Sequence, residues 1–326
     1  MSSIISTKAS SALNNLRLLM VFAIVCQHSR IDQDITNGNA TSFIKYFCNF
    51  EFPHDFICHL FHPSVPILFI LSGYLFFFNV DNYSVDEYKK KLLGRVKSIL
   101  VPFLIWTAIG IVATPFLYKK DVTFLYIIES LTTNPIGVLW YLRDLIVIAL
   151  MSPIYYYIVK KVKIGGGILT FIIISLLFPN TNFIFFNIYF FLGAAIAINK
   201  IKIEDVLKII DYRLCILIFI LWKFMTVYYQ TEITLPFRAV IILIGLLGFF
   251  MNTKINFKDS GFSTFLYLTH PYAKAVKSII VMFIPLSNDI NCTLVLITRI
   301  ILTTALCLIL YKSIPKKIRS ILIGGR

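Results

Sequence analysis

Ten long apolar segments, separated by short polar breaks, are the feature that most constrains this chain. A helix that spans a bilayer needs about 20 consecutive, mostly apolar residues. The segments lie at residues 11–29, 62–80, 98–118, 137–157, 165–179, 183–199, 213–230, 235–252, 262–284 and 293–312. Only 14% of the 326 residues are charged, whereas soluble domains average about 25%. The sequence therefore predicts an all-α integral membrane protein with about ten transmembrane helices.

The chain is expected to form a single transmembrane domain over residues 1–326. It contains no internal repeat, low-complexity linker or soluble region. The first apolar segment has spanning length and lacks a small-residue cleavage site, so we expect no cleavable signal peptide. The ninth segment contains His270, Pro271 and two lysines, and we expect it to be broken or partly interfacial.

Lysine and arginine are distributed unevenly between the polar breaks. With the N-terminus in the cytoplasm, the cytoplasmic breaks carry 20 Lys and Arg, and the external breaks carry four. This positive-inside bias predicts cytoplasmic N- and C-termini in a multi-pass protein of the inner membrane. Topology then explains the formal net charge of +15, so we expect anionic membrane lipids as partners and no nucleic acid.

Several basic residues lie inside the apolar segments. A charge at mid-depth costs about 2.5 kcal/mol or more, so such a residue either faces a cavity or partner, or extends to the interface. We expect Arg238 and Arg299 to extend to the interface, and the sequence leaves Lys223 undecided. Arg17 and Arg143 have polar or aromatic neighbours in the pattern, which favours a functional role for both.

Arg17 and His28 lie on one face of the first apolar segment. Eleven residues at about 100° each return to within roughly 20° of the same direction, about 16 Å further along the axis. One stripe thus carries a guanidinium near the cytoplasmic side and an imidazole near the outer side. A single histidine in a helix is more often a hydrogen-bonded core residue, so spacing alone leaves a structural role for His28 open.

Six segments, in order, resemble the membrane-bound acyltransferase-3 family. Arg17, followed by ten residues and then His28, is similar to the family's first-helix motif. Residues 65–74, which end in Ser-Gly-Tyr, are similar to its second-span signature. Further similar segments are residues 95–103, 139–145, 191–194 and 265–270. The resemblance extends from residue 13 to about residue 312, which is nearly the whole chain.

The resemblance implies an enzyme that moves an acyl group, usually acetyl, from cytoplasmic acetyl-CoA to a hydroxyl of a cell-surface carbohydrate. The acceptor would be an O-antigen, capsule or other exopolysaccharide, free or lipid-linked. An imidazole can accept a proton near neutral pH, so His28 is the expected general base. Alternatively, His28 is itself acylated and relays the group. Arg17 is expected to hold the CoA end or to line its tunnel.

The resemblance also implies a donor site on the cytoplasmic side. Arg95 and Lys97 are expected to contact the phosphates of CoA, although any cytoplasmic loop attracts basic residues. Arg143 is expected to hold the thioester or the acceptor, and its neighbour Asp144 need not pair with it. The residues expected to line the substrate cavity are Ser72, Tyr74, Trp140 and His270.

The first external loop, about residues 30–61, contains cysteines and histidines whose spacing matches no closed zinc pattern. We therefore predict no metal, and we favour a disulfide between Cys48 and Cys58 in this oxidising location. Asp32, four residues after His28, would orient the imidazole if the helix continues that far.

A different class of function stays open. In a multi-span transporter or flippase of a glycan or lipid-linked substrate, intramembrane charges line the substrate path. The sequence favours the enzyme, because it shows no inverted repeat and because its polar residues cluster in the segments that resemble the family.

Overall fold

The computed structural model describes residues 6–29, 60–118, 121–132, 139–177, 182–226, 235–257, 260–273 and 289–325. These residues form helices joined by short turns, and no strand occurs among them. The α-helices are α1 Thr7–His28, α2 Ser64–Phe77, α3 Val85–Arg95, α4 Val101–Tyr118, α5 Phe124–Thr132, α6 Trp140–Leu177, α7 Asn182–Ile198, α8 Ile203–Ile209, α9 Tyr212–Thr226, α10 Leu235–Asn252, α11 Ser260–Thr269, α12 Asp289–Ser313 and α13 Lys316–Leu322. A π-helix, Val96–Leu100, joins α3 to α4, and a 3-10 turn, His270–Ala273, follows α11.

The protein is an all-helical membrane protein. Within the described part of the chain, four helices are individually long and apolar enough to cross a bilayer: Thr7–His28, Val85–Pro115, Trp140–Ile174 and Leu294–Ser313. A fifth span results if Phe186–Ile198 and Ile203–Ile209, which are bent by 96° relative to each other, are taken together. Every one of the apolar segments predicted from the sequence overlaps a described helix.

Two predicted interruptions are visible in the helices. Helix α6 covers the fourth and fifth apolar segments, and it is broken between them at Lys163, where φ is 55° and ψ is −170°. Helix α11 ends at Thr269 and passes into the 3-10 turn. Proline lacks a backbone N–H and disfavours helical geometry in the residue before it, so Pro271 explains why the helix ends here. The prediction that the ninth segment is broken is confirmed for its described part.

Helix α1 lies at the centre of the bundle and packs against α2, α10, α11 and α12. Its side chains at Ala12, Leu16 and Ala23 are fully buried. Helices α6 and α12 instead expose large apolar side chains, such as Leu169 and Ile309, which are 57% and 61% exposed. Such surfaces suit contact with lipid tails and identify the outer wall of the bundle.

Helices α2 and α7 cross at two glycines. A Cβ atom placed on Gly73 would lie 2.1 Å from the carbonyl oxygen of Phe190. A Cβ atom placed on Gly193 would lie 2.0 Å from the carbonyl oxygen of Ile70. The two backbones therefore touch directly, as small residues allow at helix crossings in membranes.

The burial of two basic residues corrects the prediction that their side chains extend to the membrane interface. Arg238 and Arg299 are 7% and 4% exposed, so other residues of the protein cover them and their side chains do not extend out of the protein. Arg299 donates a long hydrogen bond to the carbonyl oxygen of Ser29, 3.5 Å away, at the end of α1. Lys223, which the sequence left undecided, is 3% exposed. The prediction failed because hydropathy gives the depth of a residue but not the side of the helix that neighbours cover.

Candidate active site

Residues of α1, α2, α6, α11 and the π-helix with its flanking residues enclose a cavity of about 190 Å³. Leucines form its apolar walls, among them Leu13, Leu68, Leu71 and Leu142. Hydroxyl, amide and guanidinium groups enter the cavity between them. The residues that the structure describes around this cavity include no Asp or Glu, so the lining carries only positive charge.

Helix α1 contributes Ser10, Asn14, Arg17 and Val21 to the cavity. Steps of three or four residues place side chains on one helix face, so these residues form a continuous stripe. Arg17 is half-buried within it. The same stripe continues, seven residues beyond Val21, to His28, as the spacing of Arg17 and His28 predicted.

Asn15 fixes the position of α11 from the other side of α1. It is fully buried, its Nδ2 donates to the carbonyl oxygen of Ile255 at 2.6 Å, and its Oδ1 accepts from the Phe257 N–H at 3.0 Å. Both partners lie in the linker between α10 and α11. Helix α11 then supplies Ser263, Thr264 and Tyr267 to the cavity.

The second cationic side chain of the cavity is Arg95, at the end of α3. Its guanidinium lies 5.0 Å from the centre of the Phe76 ring, a cation–π contact that holds its direction. Ser98, in the π-helix that follows, also lines the cavity and donates to the Gly94 carbonyl oxygen at 2.8 Å. Lys97 is exposed and does not line the cavity.

Ser72 and Tyr141 meet on the wall formed by α2 and α6. Their hydroxyl oxygens are 2.9 Å apart, and the Tyr141 hydroxyl also lies 3.3 Å from the Leu68 carbonyl oxygen. Tyr74 lies outside the cavity, is 5% exposed and packs its ring against Phe78. Two residues along a helix turn the side chain by about 200°, so Ser72 and Tyr74 face opposite sides.

Trp140 does not line the cavity, although its neighbour Tyr141 does. The Trp140 ring packs against Phe69 and Phe186, with centroids 6.3 and 5.0 Å away. It therefore supports the wall from behind. The sequence predicted a cavity residue in this segment, but it indicated Trp140 and not its neighbour Tyr141.

His28 and His270 come together at the far ends of α1 and α11. Their ring centroids are 5.3 Å apart, with His28 exposed and His270 only 3% exposed. Nδ1 of His270 lies 2.8 Å from the Tyr267 carbonyl oxygen, which can only accept, so we assign the proton to Nδ1. Tyr267 also lines the cavity, so His270 lies about one helical turn beyond the lining on α11, and His28 lies about two turns beyond Val21 on α1.

Arg143 is engaged in an ion pair that the sequence did not require. Its Nε and Nη2 lie 2.8 and 2.7 Å from Oδ1 of Asp144, and its Nη1 donates to the Thr132 carbonyl oxygen. Asp144 is 2% exposed, and a buried carboxylate needs such a partner. Arg143 does not line the cavity.

Some predicted residues lie outside the described part of the chain. These are Asp32 and the two cysteines of the predicted disulfide, Cys48 and Cys58. Within the described ranges, Cys26, Cys215 and Cys307 are buried. The same ranges hold no group of three His, Cys, Asp or Glu side chains arranged as metal ligands.

The sequence missed several residues of the cavity. Those with polar groups are Ser10, Asn14, Ser98, Tyr141, Ser263, Thr264 and Tyr267. A signal was present for two of them, because Asn14 and Ser10 lie three and seven residues before Arg17 on the same helix face. The others come from different helices, and no periodicity within one segment links them to Arg17.

Comparisons of the sequence with known proteins show which family the chain belongs to. The sequence model of a family described as an acyltransferase domain matches residues 10–312. The succinoglycan biosynthesis protein ExoH of Rhizobium meliloti (strain 1021) is 25% identical over 168 residues, which is 47% of this chain and 44% of that relative. No solved structure matches the chain. Since the family match includes every residue from Arg17 to His270, the chain belongs to the acyltransferase-3 family.

Proposed function

We propose that the protein is a membrane O-acetyltransferase that uses cytoplasmic acetyl-CoA to acetylate a hydroxyl of a cell-surface carbohydrate. One observation carries this proposal: a cavity lined by two arginines lies against α1 and α11, and the far ends of the same two helices bring His28 and His270 together. The similarity to ExoH, a succinoglycan biosynthesis protein, supports a polysaccharide acceptor such as an exopolysaccharide, capsule or O-antigen.

The proposal includes a topology of ten spans in the inner membrane, with both termini in the cytoplasm. The overlap of every apolar segment with a helix supports the number of spans. The excess of Lys and Arg in alternate breaks supports the orientation. In this orientation Ser10 and Arg95 lie toward the cytoplasm, where CoA is available, and His28 lies toward the outer face.

The cavity suits the thioester end of the donor. Pockets that enclose a drug-sized ligand measure about 300–1,000 Å³, so about 190 Å³ admits the acyl and thiol end and leaves the nucleotide outside. Arg95 would then meet the phosphates at the mouth, with the exposed Lys97 beside it. Arg17 would hold the donor deeper in the cavity, and the Ser72–Tyr141 hydroxyl pair would orient it.

The chemistry requires a base for the acceptor hydroxyl. An imidazole nitrogen of His28 takes the hydroxyl proton while the oxygen bonds to the thioester carbonyl carbon. The carbon–sulfur bond then breaks, and the CoA thiolate takes the proton from His28. His270 is buried beside His28 and positions its ring. In the alternative relay, the His28 ring attacks the thioester carbonyl carbon and the carbon–sulfur bond breaks to release the CoA thiol. The acceptor oxygen then bonds to the acyl carbon, the bond from that carbon to the His28 nitrogen breaks, and the released imidazole takes the hydroxyl proton.

Purified protein in nanodiscs, supplied with labelled acetyl-CoA and acceptor glycan, tests the proposal. His28→Ala should lower acetyl transfer by about 10²- to 10⁴-fold, the usual contribution of a general base. Arg17→Lys should also lose most activity, because Lys lacks the planar fork that forms two parallel hydrogen bonds. Arg213→Lys, which changes an exposed arginine in the same way, is the matched control and should stay active.

The outcomes separate the candidate functions. Normal transfer by a well-folded His28→Ala protein would contradict the base assignment. Full activity in Arg17→Lys would mean that charge alone is needed there. Movement of glycan across the bilayer without consumption of acetyl-CoA would reject the enzyme and support the flippase.

A further inference from the structure

Helix α13 directly follows a candidate membrane span. It starts three residues after Ser313, which ends the candidate span Leu294–Ser313. One side of α13 exposes Ile318 and Ile321, which are 52% and 53% exposed, and Lys316 and Lys317 beside them are exposed as well. A helix that combines exposed isoleucines with lysines, directly after a membrane span, fits the boundary between acyl chains and anionic headgroups.

The opposite side of α13 is attached to the protein. Nε1 of Trp106, in α4, donates to the Leu322 carbonyl oxygen at 3.0 Å, and Ile323 is 1% exposed. Arg319 donates to the Tyr311 carbonyl oxygen at 2.8 Å and lies over the Tyr311 ring at 4.2 Å. Because Arg319 makes these contacts within the protein, Lys316 and Lys317 provide the positive charge of α13 that faces outward.

The end of α13 touches the wall of the cavity. Gly324 has φ of 75°, and a Cβ atom placed on it would lie 2.6 Å from the Cα of Ser98. Ser98 belongs to the π-helix and lines the cavity. The backbone that follows α13 therefore rests directly on a five-residue π-helix, a conformation that is rare and is often found at functional sites.

We propose that α13 binds the anionic surface of the membrane and thereby holds the π-helical wall of the cavity in place. A helix of seven residues is too short to be stable by itself, so its order depends on what it contacts on both sides. Headgroup binding at Lys316 and Lys317 favours the docked helix, and Gly324 transmits docking to Ser98. This inference rests on the proposed function in one respect, because the proposed function assigns the cavity to the donor acetyl-CoA.

Amide hydrogen exchange of the full-length protein in nanodiscs tests the proposal. Exchange in residues 96–100 and 318–325 should be slower in nanodiscs that contain phosphatidylglycerol than in nanodiscs of phosphatidylcholine alone. The double variant Lys316→Gln/Lys317→Gln should lose this difference. Two lysines at a charged surface account for up to about 30-fold in the docking equilibrium, which is about 2 kcal/mol.

The double variant Lys160→Gln/Lys161→Gln is the matched control, since it removes two exposed lysines elsewhere in the chain and should keep the lipid response. Gly324→Ala should speed exchange of residues 96–100 in both lipids, with the core of α1 unchanged. Equal exchange of wild-type protein in the two lipids would overturn the proposal, as would protection confined to residues 318–325. Both leaflets of a nanodisc carry the anionic lipid, so the result depends neither on orientation nor on acetyl transfer.

Discussion

Replacing Gly73 with alanine tests how the crossing of α2 and α7 shapes the cavity. The new Cβ atom would lie 2.1 Å from the Phe190 carbonyl oxygen and 3.0 Å from the Ala194 nitrogen. Both are backbone atoms, which no rotamer change can move. Ordinary contact begins at 3.4 Å, so the two helices must separate by about 1 Å or more at this point.

The free-energy cost follows from that separation. Extra methyl groups in a packed interior cost about 1–3 kcal/mol, and a clash with backbone belongs at the upper end. A shift of α2 would also stretch the 2.9 Å contact between Ser72 and Tyr141, and losing that hydrogen bond adds about 0.5–1.5 kcal/mol. The expected destabilisation is therefore about 2–4 kcal/mol.

Thermal unfolding of the purified protein in detergent measures this effect. At about 1.5 °C per kcal/mol for a chain of this size, Gly73→Ala should lower the Tm by about 3–6 °C. It should also raise the KM for acetyl-CoA, because Leu68, Leu71 and Ser72 move with α2. The control is Gly94→Ala, where the added Cβ atom meets nothing within 4 Å and helix propensity improves.

A double variant provides a sharper check. Gly193→Ala creates the reciprocal clash, 2.0 Å from the Ile70 carbonyl oxygen. One separation of the helices relieves both clashes, so Gly73→Ala/Gly193→Ala should cost less than the two single changes added together. Strictly additive losses, or a Gly73→Ala protein as stable as Gly94→Ala, would refute the direct backbone contact.

Two further predictions concern the hydrogen bonds of Asn15 and the membrane topology. Asn15→Ala removes both hydrogen bonds to the α10–α11 linker, whose residues Ile255 and Phe257 are 41% and 48% exposed, so each lost bond should lower the free energy of unfolding by about 0.5–1.5 kcal/mol. Chemical denaturation measures this loss, and an unchanged midpoint would show that the linker is held by other contacts. Reporter fusions after Lys97 and after Arg326 should read as cytoplasmic, and a fusion after Asn182 as external; an external C-terminus would reject the ten-span topology.

Much of the fold could be predicted from the sequence, because a bilayer imposes strong local rules. Without water in its core, backbone groups must be satisfied within each segment, so a run of about 20 apolar residues becomes a helix whatever its neighbours are. The break before His270 could be predicted equally well, since the ring of Pro271 disfavours the helical conformation of the residue before it. The shared face of Arg17 and His28 follows from helix geometry alone.

The contacts between residues on different helices were decided by the tertiary structure. The pairing of His28 with His270 joins residues that are 242 positions apart in the sequence, and no periodicity connects them. The same holds for the choice of Tyr141 over Trp140, because a difference of one residue rotates the side chain by about 100° and only packing selects the direction. The expectation that Arg238 and Arg299 extend to the membrane interface is wrong for a related reason: hydropathy reports depth in the membrane and not which neighbour covers a side chain. The sequence by itself determined the class of protein and the chemistry available on each helix, and the packing of those helices determined which groups meet.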